Sequence, residues 1–209
     1  MKRLFALIFA CLATSVTASA EPVVIEIFAS QNCANCPRAF RNLKTVAKSE
    51  DVLPLTWSVD YWDYLADADP MAMPESAERQ NAYVERFELR GPYTPQMVFD
   101  GALECAGTKK SKVSSWVERR QNTDRADITL TKIEGGFSVS GGLTLPRDVL
   151  LVHYLSDYEG EAPNPVVKLE RLGQWSGGET TFQTECEHGC AVLVQESGSG
   201  EILSAMELS

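Results

Sequence analysis

Cys33-Ala34-Asn35-Cys36 is the segment of this sequence best suited to chemistry, because two thiols separated by two residues can bond to each other with little strain and cycle between dithiol and disulfide. The pair follows the β-branched run Val23 to Phe28 and a polar turn, and it precedes a segment of helical periodicity. A thiol at that junction faces unsatisfied N–H groups and the positive end of a helix dipole, which favour the thiolate at Cys33. Cys36, about one turn further in, then serves as the resolving thiol. The spacing alone is also compatible with half a zinc site or an inert structural disulfide. A zinc site would need two further ligands, and His153, His188 and the remaining cysteines are all distant in sequence.

The elements that must hold this pair can be read along the chain. Val23 to Phe28 is a strand, Arg38 to Lys48 a helix on Phe40, Leu43 and Val46, and Leu53 to Val59 a second strand. Glu75 to Leu89 reads as a helix with Ala82, Val84 and Phe87 as its apolar positions, and Gly91 ends it. Thr94-Pro95 opens a strand over Gln96 to Phe99. The hairpin signal Asp100-Gly101 follows, then a short strand to Ala106 and a helix from Ser111 to Arg120. Beyond Asp127 seven short strands alternate with glycine and proline turns: 128–133, 137–145, 149–155, 166–172, 180–184, 191–195 and 202–206. The expectation is a signal segment over 1–20, an α/β domain over 21–125, and a small all-β, sandwich-like module over 126–209.

The order βαβαββα, with a C-x-x-C after its first strand and a Thr-Pro before its third, resembles a thioredoxin-like domain. That resemblance implies that Pro95 is cis and faces the dithiol, and that Thr94 and Pro95 pair through their backbones with an extended substrate segment. It also implies that Glu26, on the strand before the dithiol, moves protons for Cys36. Asp60 and Asp63 follow the second strand and lie at the sheet edge carrying the dithiol, where Tyr61 and Trp62 are placed to wall a substrate cleft.

Composition sets the class. The 209 residues are 44% hydrophobic and 23% charged, with net charge -10, which excludes a disordered, collagen-like or multi-spanning membrane protein. An acidic surface repels phosphate backbones, so nucleic-acid binding is disfavoured. Lys2 and Arg3 precede an apolar run from Leu4 to Ala13 and the small residues Ala18-Ser19-Ala20, the pattern of a secretory signal peptide. Cys11 leaves with that segment. Without Lys2 and Arg3, 17 basic groups remain against 29 acidic ones, a net of -12. Residues 21–125 hold 13 basic and 16 acidic groups while 126–209 hold 4 and 13, so the acidity belongs mainly to the β-rich half. No later segment is long and apolar enough to span a membrane. A periplasmic or secreted protein is expected, in a compartment where thiols become disulfides.

Several segments together, Phe28-Ala-Ser-Gln31-Asn-Cys33-Ala-Asn-Cys36-Pro37, Val59-Asp-Tyr-Trp-Asp-Tyr-Leu65, Glu78-Arg-Gln80 with Tyr83, Tyr93-Thr-Pro-Gln-Met-Val98, Val166 to Gly173 and Ala191 to Gln195, resemble a bacterial family of secreted thioredoxin-like proteins catalogued as domain of unknown function 1223. The sequence departs from that pattern in Cys105, Cys186 and Cys190. Cys186 and Cys190 flank Glu187-His188-Gly189, a loop suited to a structural disulfide across a turn. A second redox pair, or a soft-metal site with His188 and His153, is the alternative. Cys105 is expected as a buried thiol.

The function expected from these residues is an exported thiol-disulfide oxidoreductase that exchanges disulfides with protein thiols or disulfides, including a redox partner, and needs no cofactor or metal. Its rivals are a binding module with a structural Cys33–Cys36 disulfide and a copper-handling protein.

Overall fold

A computed structural model describes residues 21–49 and 51–208 of the chain; the export signal read over residues 1–20 lies outside them. The first half runs β1 (Val23–Ala29), α1 (Cys36–Ser49), β2 (Val52–Ser58), α2 (Pro74–Arg86), β3 (Gln96–Phe99), β4 (Leu103–Ala106) and α3 (Lys110–Gln121). The second half is β5 (Ile128–Ile133), β6 (Gly136–Gly141), β7 (Arg147–Tyr154), β8 (Val166–Trp175), β9 (Thr180–Gln183), β10 (Gly189–Gln195) and β11 (Ile202–Glu207). They form three sheets, ordered β2-β1-β3-β4, β11-β10-β7-β8 and β5-β6-β9. β1 runs parallel to β2 and antiparallel to β3.

β1 shows why the layers stack as they do. Successive side chains of a strand point to opposite faces, and both faces of β1 are buried and, Glu26 apart, apolar. Val23, Ile25, Ile27 and Ala29 join Ala39 and Leu43 of α1 and Val113 and Val117 of α3 in one core. Val24 and Phe28 join Leu53, Leu55 and Trp57 of β2 together with Leu150 and Val152 of β7 and Leu193 of β10 in a second. The far side of β7 and β10, through Val149, Leu151, Val192 and Val194, packs on Phe137 and Val139 of β6 in a third. α1 and α3 therefore cover one outer face, while α2 packs through Tyr83 at the edge of the middle core, between the first and second sheets. Fully burying a side chain such as Phe28 contributes on the order of 1.5–3 kcal/mol, so the middle core ties the two halves of the chain firmly together.

The expected fold class, an α/β thioredoxin-like domain followed by a small all-β sandwich-like domain, is corrected by this architecture. Strand occupies 38% of the described residues and helix 22%, in three sheets. The physical reason is that periodicity identifies each element but not its covering layer. The second face of the first sheet is mostly apolar and is closed largely by β7 and β10, with α2 at its edge, where an α/β layer would place helices alone. α2 differs from expectation in the same way. Its buried face is Ser76, Arg79, Gln80 and Tyr83, spaced i, i+3, i+4, i+7, a polar stripe facing the seam between sheets.

Two polar joints fasten that seam. Arg79 on α2 pairs with Glu26 on β1, and its Nη2 also donates to Gln195 Oε1 on β10 at 3.0 Å. Asp100, at the turn after β3, accepts the Val24 N–H at 2.7 Å and Arg120 Nε of α3 at 2.9 Å, while its own carbonyl accepts the Ile202 N–H of β11 at 2.8 Å. Asp100 and Gly101 both adopt positive φ, 47° and 63°, as a two-residue hairpin turn of this kind demands.

Candidate functional site

Cys33 and Cys36 are bonded to each other, with Cα atoms 5.4 Å apart. α1 begins at Cys36, so Cys33 precedes the helix in a tight turn closed by the Cys36 N–H to the Cys33 carbonyl at 3.0 Å. Pro37 occupies the first helical turn, where a missing N–H costs nothing. The two residues are not equally enclosed: Cys36 is 0% exposed and Cys33 6%. Both lie in the core beneath α1 and α3, so what reaches solvent is the first cysteine alone.

The turn before Cys33 is strapped to the loop that follows β2. The Gln31 backbone N–H donates to Asp69 Oδ2 at 2.8 Å, and the Asn32 side-chain amide donates to the Asp67 carbonyl at 3.0 Å. Asp69 is itself fixed, its N–H donating to Asp63 Oδ1 at 3.1 Å. From the same loop the Trp62 indole N–H donates to Thr94 Oγ1 at 2.8 Å, and its ring packs against the core that contains both cysteines. Trp62 thereby links the dithiol turn to the Thr94-Pro95 turn.

The Thr94–Pro95 bond is cis, and Pro95 is buried. The β1–β3 register pairs Phe28 with Gln96, so the step beyond it sets Pro95 at the level of Ala29, on the sheet end that carries the dithiol. Tyr61 donates to Gln80 Oε1 at 3.2 Å, and Gln80 Nε2 in turn donates to the Tyr93 carbonyl at 2.9 Å. Burial pushes the Tyr61 phenol up to about 12, against the pull of Gln80, so it remains a hydrogen-bond donor.

Glu26 is not brought to the cysteines. It alternates with Ile25 and Ile27 along β1 and therefore points to the opposite face from Cys36, where Arg79 and the Tyr83 hydroxyl engage its carboxylate. Strand register, one residue either way, decided this. Cys105 on β4 sits opposite Met97 in the ladder and shares the core of the dithiol; it is the one unbonded cysteine among the described residues. Burial, then Glu104, push its thiol up to about 11. Cys186 and Cys190 are bonded across their turn.

Sequence reasoning missed the contribution of the β7–β8 loop. Thr56 on the edge strand β2 donates its N–H to the Asn164 carbonyl at 3.0 Å, and Asn164 Nδ2 donates back to the Pro54 carbonyl at 3.0 Å. The loop so anchored brings Tyr158, Glu161 and Ala162 against Gln31, Pro37 and Phe40, around a cavity of about 240 Å³ flanking the dithiol turn. The only local signal was Pro163-Asn164-Pro165, two prolines suited to an extended strand-edge segment. Among the described residues no helix is long and apolar enough to cross a membrane.

These features define a mostly-β, three-sheet protein with one disulfide at a strand-to-helix junction and another across the turn that leads into β10. The chain belongs to the family described as Protein of unknown function (DUF1223), which matches residues 24–195. Its fold is similar to the crystal structure of protein AGR_C_4864 from Agrobacterium tumefaciens, with TM-score 0.78 and 25% identity over 92% of this chain and 96% of that one. HBP35 of Porphyromonas gingivalis shares the fold at TM-score 0.61 and 13% identity, over 91% of this chain and 75% of that one. Among curated proteins none matches the chain.

Proposed function

We propose that the protein is an exported, periplasmic or secreted, thiol-disulfide oxidoreductase acting on protein thiols through Cys33 and Cys36. The observation that carries this reading is a bonded C-x-x-C pair just ahead of a helix N-terminus, in which Cys33 keeps 6% exposure and Cys36 none. A partner thiolate attacks Cys33 Sγ, a mixed disulfide forms there, and the Cys33–Cys36 bond breaks with its electron pair passing to Cys36 Sγ. A second partner thiol then attacks its own sulfur in the mixed disulfide, Cys33 leaves as thiolate, and the partner departs oxidised. Two electrons and two protons pass from partner to protein. The helix end favours the departing Cys33 anion. Thr94 and Pro95 offer the backbone edge along which the partner lies, and Tyr61 and Trp62 wall it.

The 6% exposure of Cys33 favours a second reading, in which Cys33–Cys36 is a structural disulfide in a binding module. Turnover of a reduced or scrambled disulfide substrate separates the two. Wild type is expected to turn over, Cys33→Ser to lose all thiol-dependent rate, and Cys36→Ala to accumulate a covalent adduct on Cys33. Equal rates for wild type and Cys33→Ser leave the structural reading.

A further inference from the structure

The exchange proposed at Cys33 makes no use of the second disulfide, which has an acid–base partner of its own. Cys186 is exposed in the loop between β9 and β10, whereas Cys190, the second residue of β10, is 0% exposed. The β7–β10 ladder sets Cys190 directly opposite His153, and the His153 Nδ1 lies 3.4 Å from Cys190 Sγ. The other ring nitrogen, Nε2, lies 2.6 Å from Glu170 Oε1 on β8. Lys168 Nζ reaches the same oxygen at 2.8 Å, and hydrogen bonds from Lys168 and then His153 hold the Glu170 carboxyl below its ordinary range. An ionised Glu170 accepts the Nε2–H, so the partner network assigns the proton to Nε2 and turns Nδ1 toward the sulfur.

The His153–Glu170 end of this row faces a cleft of about 980 Å³, whose wall also includes Lys168, Glu185, Glu187 and His188. A disulfide that merely staples a turn needs neither an imidazole against its buried sulfur nor a carboxylate behind that imidazole. We propose that Cys186–Cys190 is a second thiol-disulfide exchange site, with His153 as the catalytic acid–base at Cys190 and Glu170 as the residue that positions it.

The reductant is a dithiol. One of its thiols gives its proton, through solvent, to His153 Nδ1, and the thiolate so formed attacks the exposed Cys186 Sγ; an S–S bond forms there, the Cys186–Cys190 bond breaks, and the imidazolium returns the proton to the electron pair on Cys190 Sγ. The donor's second thiol closes its own disulfide and releases Cys186, so two electrons and two protons have moved onto the pair. In the reverse direction His153 Nδ1 accepts the Cys190 proton as the bond reforms.

The test uses the full chain with Cys33→Ser and Cys36→Ser, so that failure at the first site leaves this one readable. Dithiothreitol is the probe, with alkylation and mass mapping of Cys186 and Cys190 as the readout. In folded protein the bond is expected to open, and His153→Gln to slow opening by about tenfold or more. Glu170→Gln is expected to slow it less and to displace the pH profile of the rate; the facing Glu185, Glu187 and His188 are common to both proteins, while Lys168 loses its ion-pair partner in the variant. With Cys190→Ser, glutathione disulfide is expected to add at Cys186. Opening only in denaturant, a rate unchanged by His153→Gln, or no adduct at Cys186 in the folded Cys190→Ser protein overturns the proposal.

Discussion

Arg79 grips Glu26 with two parallel contacts, Nε to Oε1 at 2.5 Å and Nη2 to Oε2 at 3.0 Å, deep in the seam between the first and second sheets. The Tyr83 hydroxyl and Gln195 Oε1 take further bonds in the same group, so helix α2 and strands β1 and β10 meet on one guanidinium. Removing one partner of a buried pair strands the other's charge. Arg79→Met is expected to lower the free energy of unfolding by about 3–5 kcal/mol, with Arg79→Met/Glu26→Gln recovering a large part of it. Urea denaturation curves decide the matter, and a loss below about 1 kcal/mol for the single variant contradicts it.

Cys105 is expected to stay unlabelled in the folded protein. With its thiol held at about 11, the thiolate is about one part in a thousand at pH 8. Maleimide treatment followed by mass mapping should find Cys105 modified only after denaturation.

The same thiol has a stability signature. Its folded pKa is raised from 9.0 to about 11, so the folded state holds the proton more tightly than the unfolded chain. The resulting stabilisation is complete below pH 9 and is lost as the pH rises to about 11. Relative to Cys105→Val, wild type should lose stability across that window; parallel curves for the two proteins refute the assignment.

Gly101 has φ of +63°, and a Cβ built on it would lie 2.1 Å from the Gly200 carbonyl oxygen. Neither the turn nor the neighbouring hairpin backbone can yield cheaply. Gly101→Ala should therefore cost about 2–4 kcal/mol, read as a drop in melting temperature; a neutral substitution means the hairpins are not in contact.

Trp62 carries the hydrogen bond that joins the dithiol loop to Thr94. Trp62→Phe keeps most of the ring packing and removes the donor. Global stability should fall by only about 1 kcal/mol. The exchange rate at Cys33 should fall about threefold to tenfold, since a single neutral hydrogen bond is worth that much. An unchanged rate removes Trp62 from the site.

Most elements were legible because their signals are local. The strand Gln96–Phe99 and the Asp100-Gly101 turn stand where alternation and turn chemistry placed them, and all seven later strands are present with shifts of a few residues at their ends. α1 starts two residues earlier than its apolar period shows, because Pro37 supplies a helical φ before the period begins. The buried stripe of α2 was not legible, since Ser76, Arg79 and Gln80 look like solvent-facing residues until Glu26 and Gln195 arrive to pair with them.

The sequence by itself determined which stretches are strands, turns and helices, the two close cysteine spacings at 33/36 and 186/190, and membership of the family, all of which depend on residues close together along the chain. Only the tertiary structure decided that β7 and β10 cover the second face of β1, that Glu26 faces Arg79 and not Cys36, and that His153 meets Cys190. Those contacts join residues 37 to 169 positions apart. They are set by which apolar faces close on one another, a choice that side-chain periodicity leaves open.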